Sequence, residues 1–222
     1  MEKTSHPAAK LPLGERVNYL TVVAAIAAAD GKVTGAKFGK LQVFCEDLKL
    51  DRDGFGRVMA AASHPDVTCI GEVIAQLRSS ELRFTLLTDL VFLAYADDEL
   101  TVAEKQEIHA IADSLDVNAG QLAAMIKYVE AVRQAQKSPS VDHEDLKKLG
   151  GELAASLASA GVPLAAIAVS GSVFGLSAAG ITSGLAALGL GLGMASGIGV
   201  VVGIGVGSYL GVRWLYRKMV GT

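Results

Sequence analysis

The sequence predicts an all-α protein: a duplicated helical-hairpin bundle of about seven helices, followed by a C-terminal transmembrane helical hairpin. Three observations lead there. No segment alternates apolar and polar residues over the length of a strand, and apolar side chains recur at close to helical spacing throughout. A unit of helix, acidic turn and threonine-capped helix occurs twice. Residues 153–212 contain no Asp, Glu, Lys, Arg, His, Asn or Gln. A bilayer core about 30 Å thick needs roughly 20 helical residues to cross, so that stretch has the length for two long spans or three short ones.

In chain order, residues 1–13 hold two prolines and little periodicity and read as a flexible arm. An all-α domain follows over residues 14–134. Val17, Leu20, Val23, Ala24 and Ala27 line one helix face that ends at Asp30-Gly31. Thr34 caps a second helix carrying Phe38, Leu41, Phe44, Cys45 and Leu48. The run Asp51-Arg52-Asp53-Gly54 signals a turn before a short helix with Phe55 and Val58. Ser63-His64-Pro65-Asp66 opens a bridging helix through Ile70, Ile74 and Leu77.

The first unit then returns in the second half of the domain. Leu20, Val23, Ala27, Asp30, Val33, Thr34, Leu41, Phe44 and Leu48 align without gaps on Leu87, Leu90, Ala94, Asp97, Leu100, Thr101, Ile108, Ile111 and Leu115. Matches at that many ungapped positions make a duplicated helical hairpin the natural reading. Residues 135–149, polar and interrupted by Pro139, form a linker to the apolar part, residues 150–222.

Ala-Ala-Ala-Asp30-Gly31-Lys-Val33-Thr34, answered by Ala-Tyr-Ala-Asp97-Asp98-Glu99-Leu100-Thr101-Val-Ala-Glu104, resembles the TerB-like family associated with tellurite resistance and bacterial stress. The resemblance covers roughly residues 15–133. It implies an all-α fold with internal pseudo-symmetry, acidic turns proposed to bind metal ions, protein partners for the helical domain, and work near a membrane. Neither copy carries the whole Asp-Gly-x-apolar-x-x-x-Glu pattern. Lys37 stands at the glutamate position of the first copy, and Asp98 replaces the glycine of the second.

Two readings of the second turn stand side by side. Asp97, Asp98, Glu99 and Glu104, with Asp30 from the first copy, are candidate ligands for a divalent cation such as calcium, which takes six to eight oxygens at about 2.3–2.6 Å. The other reading makes Thr101-Val-Ala-Glu104 a capping box, with Asp97 and Asp98 placed where a helix N-terminus favours negative charge. No cofactor beyond such a cation is expected. His109 lacks a second histidine one turn on, His64 precedes a proline, and Cys45 lies on an apolar face. No nucleophile elbow, phosphate loop or carboxylate–histidine constellation is present, so the sequence predicts a protein that is not an enzyme.

Charge narrows the partners. All 23 acidic residues lie at or before Glu152, against 17 of the 20 basic ones, a net of −6 that disfavours nucleic acid. Cys45 and Cys69 show neither zinc nor disulfide spacing, and the N-terminal stretch holds no signal-peptide pattern. The apolar part points instead to a lipid bilayer. Gly199, Gly203, Gly207 and Gly211 recur every fourth residue, and Gly189, Gly193 and Gly197 form a second series. That spacing strips one helix face of side chains, so that backbones approach closely and self-association becomes favourable. Lys147 and Lys148 precede the stretch, and Arg213, Trp214, Tyr216, Arg217 and Lys218 come after it as a membrane-interface anchor. Positive charge at both ends implies an even number of spans, with the domain and the C-terminus on the cytoplasmic side of a bacterial inner membrane. The hairpin is expected as a span near residues 153–176 with Pro163 inside it, a turn at residues 177–183, and a second span over residues 184–212; a three-span arrangement would break again at residues 191–193. Two roles are consistent with this layout: a membrane-tethered, non-enzymatic stress sensor or scaffold, or a pore-forming effector whose glycine-zipper hairpin oligomerises and permeabilises a membrane.

Overall fold

In the computed structural model, the residues described are 6–28, 33–64, 70–97, 100–137 and 143–167. Among them every regular element is helical. A 3-10 turn at Pro7–Lys10 leads into α1 (Leu13–Ala27), α2 (Gly35–Asp47), α3 (Arg52–Ser63), α4 (Ile70–Leu77) and α5 (Leu82–Ala94). A second 3-10 turn at Tyr95–Asp97 precedes α6 (Val102–Ser114), α7 (Ala119–Lys137), α8 (His143–Ser159) and the short α9 (Leu164–Ile167).

The ends of these helices are chemically specified. Thr34 Oγ1 accepts from the Lys37 amide at 3.2 Å to start α2, and Asp51 Oδ1 accepts from the Gly54 amide at 2.8 Å to start α3. Asn118 and Gln121 cap α7 reciprocally, each side chain accepting from the other's amide at 3.0 and 3.1 Å. Both α2 and α6 end through a left-handed residue, Lys49 at φ 51° and Asp116 at φ 54°. The following amides reach back five residues, Leu50 to the Cys45 carbonyl and Val117 to the Ala112 carbonyl, each at 2.9 Å. Lys49 and Asp116, Cys45 and Ala112, Leu50 and Val117, and the caps Asp51 and Asn118 all keep the offset that separates Thr34 from Thr101. The duplication therefore extends past a hairpin to three helices, α1–α3 answered by α5–α7, with α4 between them.

The core sits around α5. Every residue from Phe84 to Ala94 is buried, and α5 packs against α1, α2, α4, α6, α7 and α9. A helix apolar all round has to be enclosed on all sides, and α1, buried continuously from Tyr19 to Ile26, is enclosed in the same way. The buried polar residues of α5 are each partnered. Thr88 Oγ1 donates to the Phe84 carbonyl at 2.8 Å, Thr85 Oγ1 donates to the Ala166 carbonyl at 2.8 Å, and Asp89 accepts from Tyr19.

Three boundaries differ from the sequence expectation. Residues 6–12, read as part of a flexible arm, include a 3-10 turn with His6 and Ala8 fully buried; one turn is too short to leave a periodic signal. The expected linker at residues 135–149 falls largely inside helices, because α7 runs on to Lys137 and α8 already begins at His143. Most consequentially, residues 153–167 do not run as the start of a span. α8 stops at Ser159, Gly161 takes φ +75°, and Pro163 separates α8 from α9. Leu153, Ala154, Leu157, Val162, Leu164 and Ile167 are buried in the same core as the rest of the domain. Among the described residues no helix is long and apolar enough to cross a membrane. The expected spans beyond Ile167, the glycine series Gly189 to Gly211 and the anchor Arg213, Trp214, Tyr216, Arg217 and Lys218 lie outside the described residues.

Candidate functional site

The threonine-capped start of α2 meets Asp97 and the start of α6. Helix α1 and helix α5 deliver the chain to the same end of the bundle, and α2 and α6 leave from it, each started by a threonine. Of the candidate cation ligands, Asp97 and Glu104 are described, whereas Asp30, Asp98 and Glu99 lie outside the described residues. Asp97 Oδ1 accepts from the Thr34 hydroxyl of the other copy at 2.8 Å. Glu104 closes a complete capping box: Thr101 Oγ1 accepts from the Glu104 amide, while Glu104 Oε2 accepts from the Thr101 amide at 2.9 Å and its hydroxyl at 2.7 Å. Its other oxygen, Oε1, lies 2.9 Å from the Lys37 ammonium.

Lys37 is only 2 % exposed. A lysine is almost never so buried unless it is paired, and here its ammonium also reaches the Ala27 carbonyl at the end of α1, 3.4 Å away. Ile26, Ala27, Leu90, Ala94, Glu107 and Ile108 line a recess beside the pair. Burial pushes the Glu104 carboxyl up, but hydrogen bonds from Lys37 and Thr101 outweigh it and hold the group below its ordinary value of 4.5.

This arrangement does not fit a hard cation at Glu104. One carboxylate oxygen is committed to the cap and the other faces an ammonium, so a divalent ion there would sit against a fixed positive charge. Among the described residues no group of three or more His, Cys, Asp or Glu side chains is placed to hold a metal ion.

A second polar cluster, invisible to the sequence reading, lies inside the core. His6 Nε2 is 3.1 Å from Asp89 Oδ2, the Tyr19 hydroxyl donates to the same oxygen at 2.6 Å, and the Ala8 amide donates to His6 Nδ1 at 3.2 Å. That last contact sets the tautomer of the neutral ring, with the proton on Nε2. Burial disfavours the imidazolium, but the Asp89 carboxylate, by charge and by hydrogen bond, more than offsets it, Asp47 adds to the effect, and the His6 pKa is raised. Burial and then Asp89 push the Tyr19 hydroxyl well above its ordinary range, keeping it a donor. His6, Asp89 and Tyr19 are 0–1 % exposed. The cluster ties the N-terminal turn to α1 and α5. A lone charge inside the otherwise uncharged run Phe84–Ala94 was the available sequence signal, since a buried carboxylate demands donors.

The remaining sequence candidates are ordinary. Cys45 is buried, and burial, then Glu46, push its thiol up to about 11. His109 is exposed on α6. The Tyr95 hydroxyl donates to Glu130 and Arg133 donates to the Tyr95 carbonyl, which fastens α7 to the second 3-10 turn.

No curated protein and no solved structure matches the chain. The TerB family model, described as "Tellurite resistance protein TerB", matches residues 16–127, from early α1 to the first half of α7, and so covers both threonine-capped helices of the repeat. With half of its length so matched, and with an all-helical, internally duplicated fold in the matched part, the chain belongs to the TerB family.

Proposed function

We propose that this chain is a membrane-tethered member of the TerB family that acts without catalysis, as a stress-response sensor or scaffold on the cytoplasmic face of a bacterial inner membrane. The observation that carries the reading is the uncharged, glycine-periodic segment C-terminal to the helical domain. With residues 153–167 committed to the domain core, residues 168–212 remain for the bilayer, and at roughly 20 residues per crossing they suffice for two spans. Gly199, Gly203, Gly207 and Gly211 supply a face for close helix packing, within the hairpin or between copies of the chain, and Arg213, Trp214, Tyr216, Arg217 and Lys218 anchor its end at the interface. The helical domain, negatively charged, is the part that meets protein partners.

Membrane fractionation tests the tether. The full chain is expected to resist alkaline carbonate extraction, and a chain ending at Ile167 is expected to be soluble; a full chain released by carbonate would refute the reading. The glycine series also supports a second role, a pore opened by oligomerised hairpins. In that case induced expression collapses the membrane potential, and Gly203→Leu with Gly207→Leu prevents the collapse. A potential that is unaffected by expression leaves the tethered scaffold.

A further inference from the structure

The duplication pairs each position of the first copy with one of the second, and Lys37 and Glu104 are such partners, at the same offset as the caps Thr34 and Thr101. Where two equivalent positions of a repeat meet, the same charged residue type at both would bring like charges together. The chain places opposite charges there instead, 2.9 Å apart and both largely shielded, with side chains 3 % and 11 % exposed.

We propose that Lys37 is a tethered cation: its ammonium joins Glu104 at the start of α6 to the Ala27 carbonyl at the end of α1 in the way a divalent ion would join two oxygen ligands, and Glu104 therefore takes no divalent ion. Four observations support this. The ammonium contacts both copies, Glu104 of α6 and the Ala27 carbonyl of α1. Glu104 is held in place by its capping box, so its free oxygen is presented to Lys37 without further ordering. Thr34, one turn before Lys37 on α2, makes the other cross-copy bond, to Asp97, so cap and ammonium grip the second copy from the same helix end. The hydrophobic stem of Lys37 lies beside the recess formed by Ile26, Leu90 and Ile108, which accounts for burial of the rest of the side chain. A covalently attached charge is present at any ion concentration. The junction is then closed permanently, without regard to free calcium, magnesium or zinc.

Thermal melting of the purified full-length chain, in chelator and in millimolar calcium, magnesium or zinc, tests the proposal. The parent is expected to melt at the same temperature in all four conditions. Lys37→Met is expected to melt lower in chelator, because Glu104 loses its counter-charge, and to recover by several degrees in at least one of the ions, which then occupies the place of the ammonium. A parent whose melting temperature rises with an ion, with the rise abolished by Glu104→Gln, would overturn the proposal. A Lys37→Met chain that no ion stabilises would overturn it equally. Equilibrium dialysis needs no folded Lys37 variant: calcium retained by the parent and lost in Glu104→Gln is the adverse result.

Discussion

At Gly54 on α3 there is no room for one more carbon. A Cβ added there would stand 2.6 Å from Val17 Cγ2 on α1 and 3.1 Å from the Asp51 cap. Alanine would favour the helix by up to about 1 kcal/mol, but forcing the contact costs about 1–3 kcal/mol. Gly54→Ala is therefore expected to lower stability in denaturant unfolding. Combining it with Val17→Ala should cost less than the two single changes summed, because the second removes the clashing methyl. His6 makes a different kind of contribution. Its pKa is higher in the folded protein than its ordinary 6.5. The stability it adds through Asp89 is complete below that ordinary value and declines as pH rises through the folded one. The stability difference between the parent and His6→Gln should accordingly be larger at pH 6 than at pH 9. A difference that grows with pH would mean that the Ala8 contact to the neutral ring outweighs the ion pair.

Single elements carry the duplication more faithfully than their side chains do. Helices α2 and α6 share a threonine cap, a left-handed terminator and a reach-back bond, although Lys37 opposes Glu104 and Lys49 opposes Asp116. A left-handed backbone is costly for a residue with a Cβ and free for glycine. Lys49 is exposed, so Lys49→Gly is expected to raise stability by up to about 1 kcal/mol in the same unfolding measurement. Asp116 is expected to respond less favourably to the same change, because its carboxylate takes a two-bond contact from Arg78, at 2.6 Å for each bond. The sequence announced both helices through Thr34 and Thr101, whose capping chemistry is local. It did not announce the turn at Pro7–Lys10, because what holds that turn is Asp89, 83 residues from His6.

Across the whole molecule, the decisive finding is that the helical domain continues past Glu152. Residues 153–167 share the uncharged composition of residues 168–212, yet they bury Leu153, Leu157, Val162, Leu164 and Ile167 in the common core and bond Thr85 through the Ala166 carbonyl. Full burial of a single large aliphatic side chain is worth about 1.5–3 kcal/mol. A chain ending at Ile167 is thus expected to unfold as one cooperative unit, while a chain ending at Glu152 should be less stable by several kcal/mol and should bind a hydrophobic dye such as ANS. Equal stability of the two truncations would place residues 153–167 outside the core.

The sequence by itself determined the helical class, the repeat with its constant offset, and the threonine caps. These arise from spacing and from side chains that act on their own backbone, which a linear reading captures. Only the tertiary structure decided that α5 is enclosed on every side, that Glu104 faces Lys37, and that His6 belongs to the core. It also decided that the first part of the uncharged stretch packs in the domain. An apolar residue carries the same signal whether protein or lipid is to cover it, and a charge gives no sign of its partner until the chain has brought the two together.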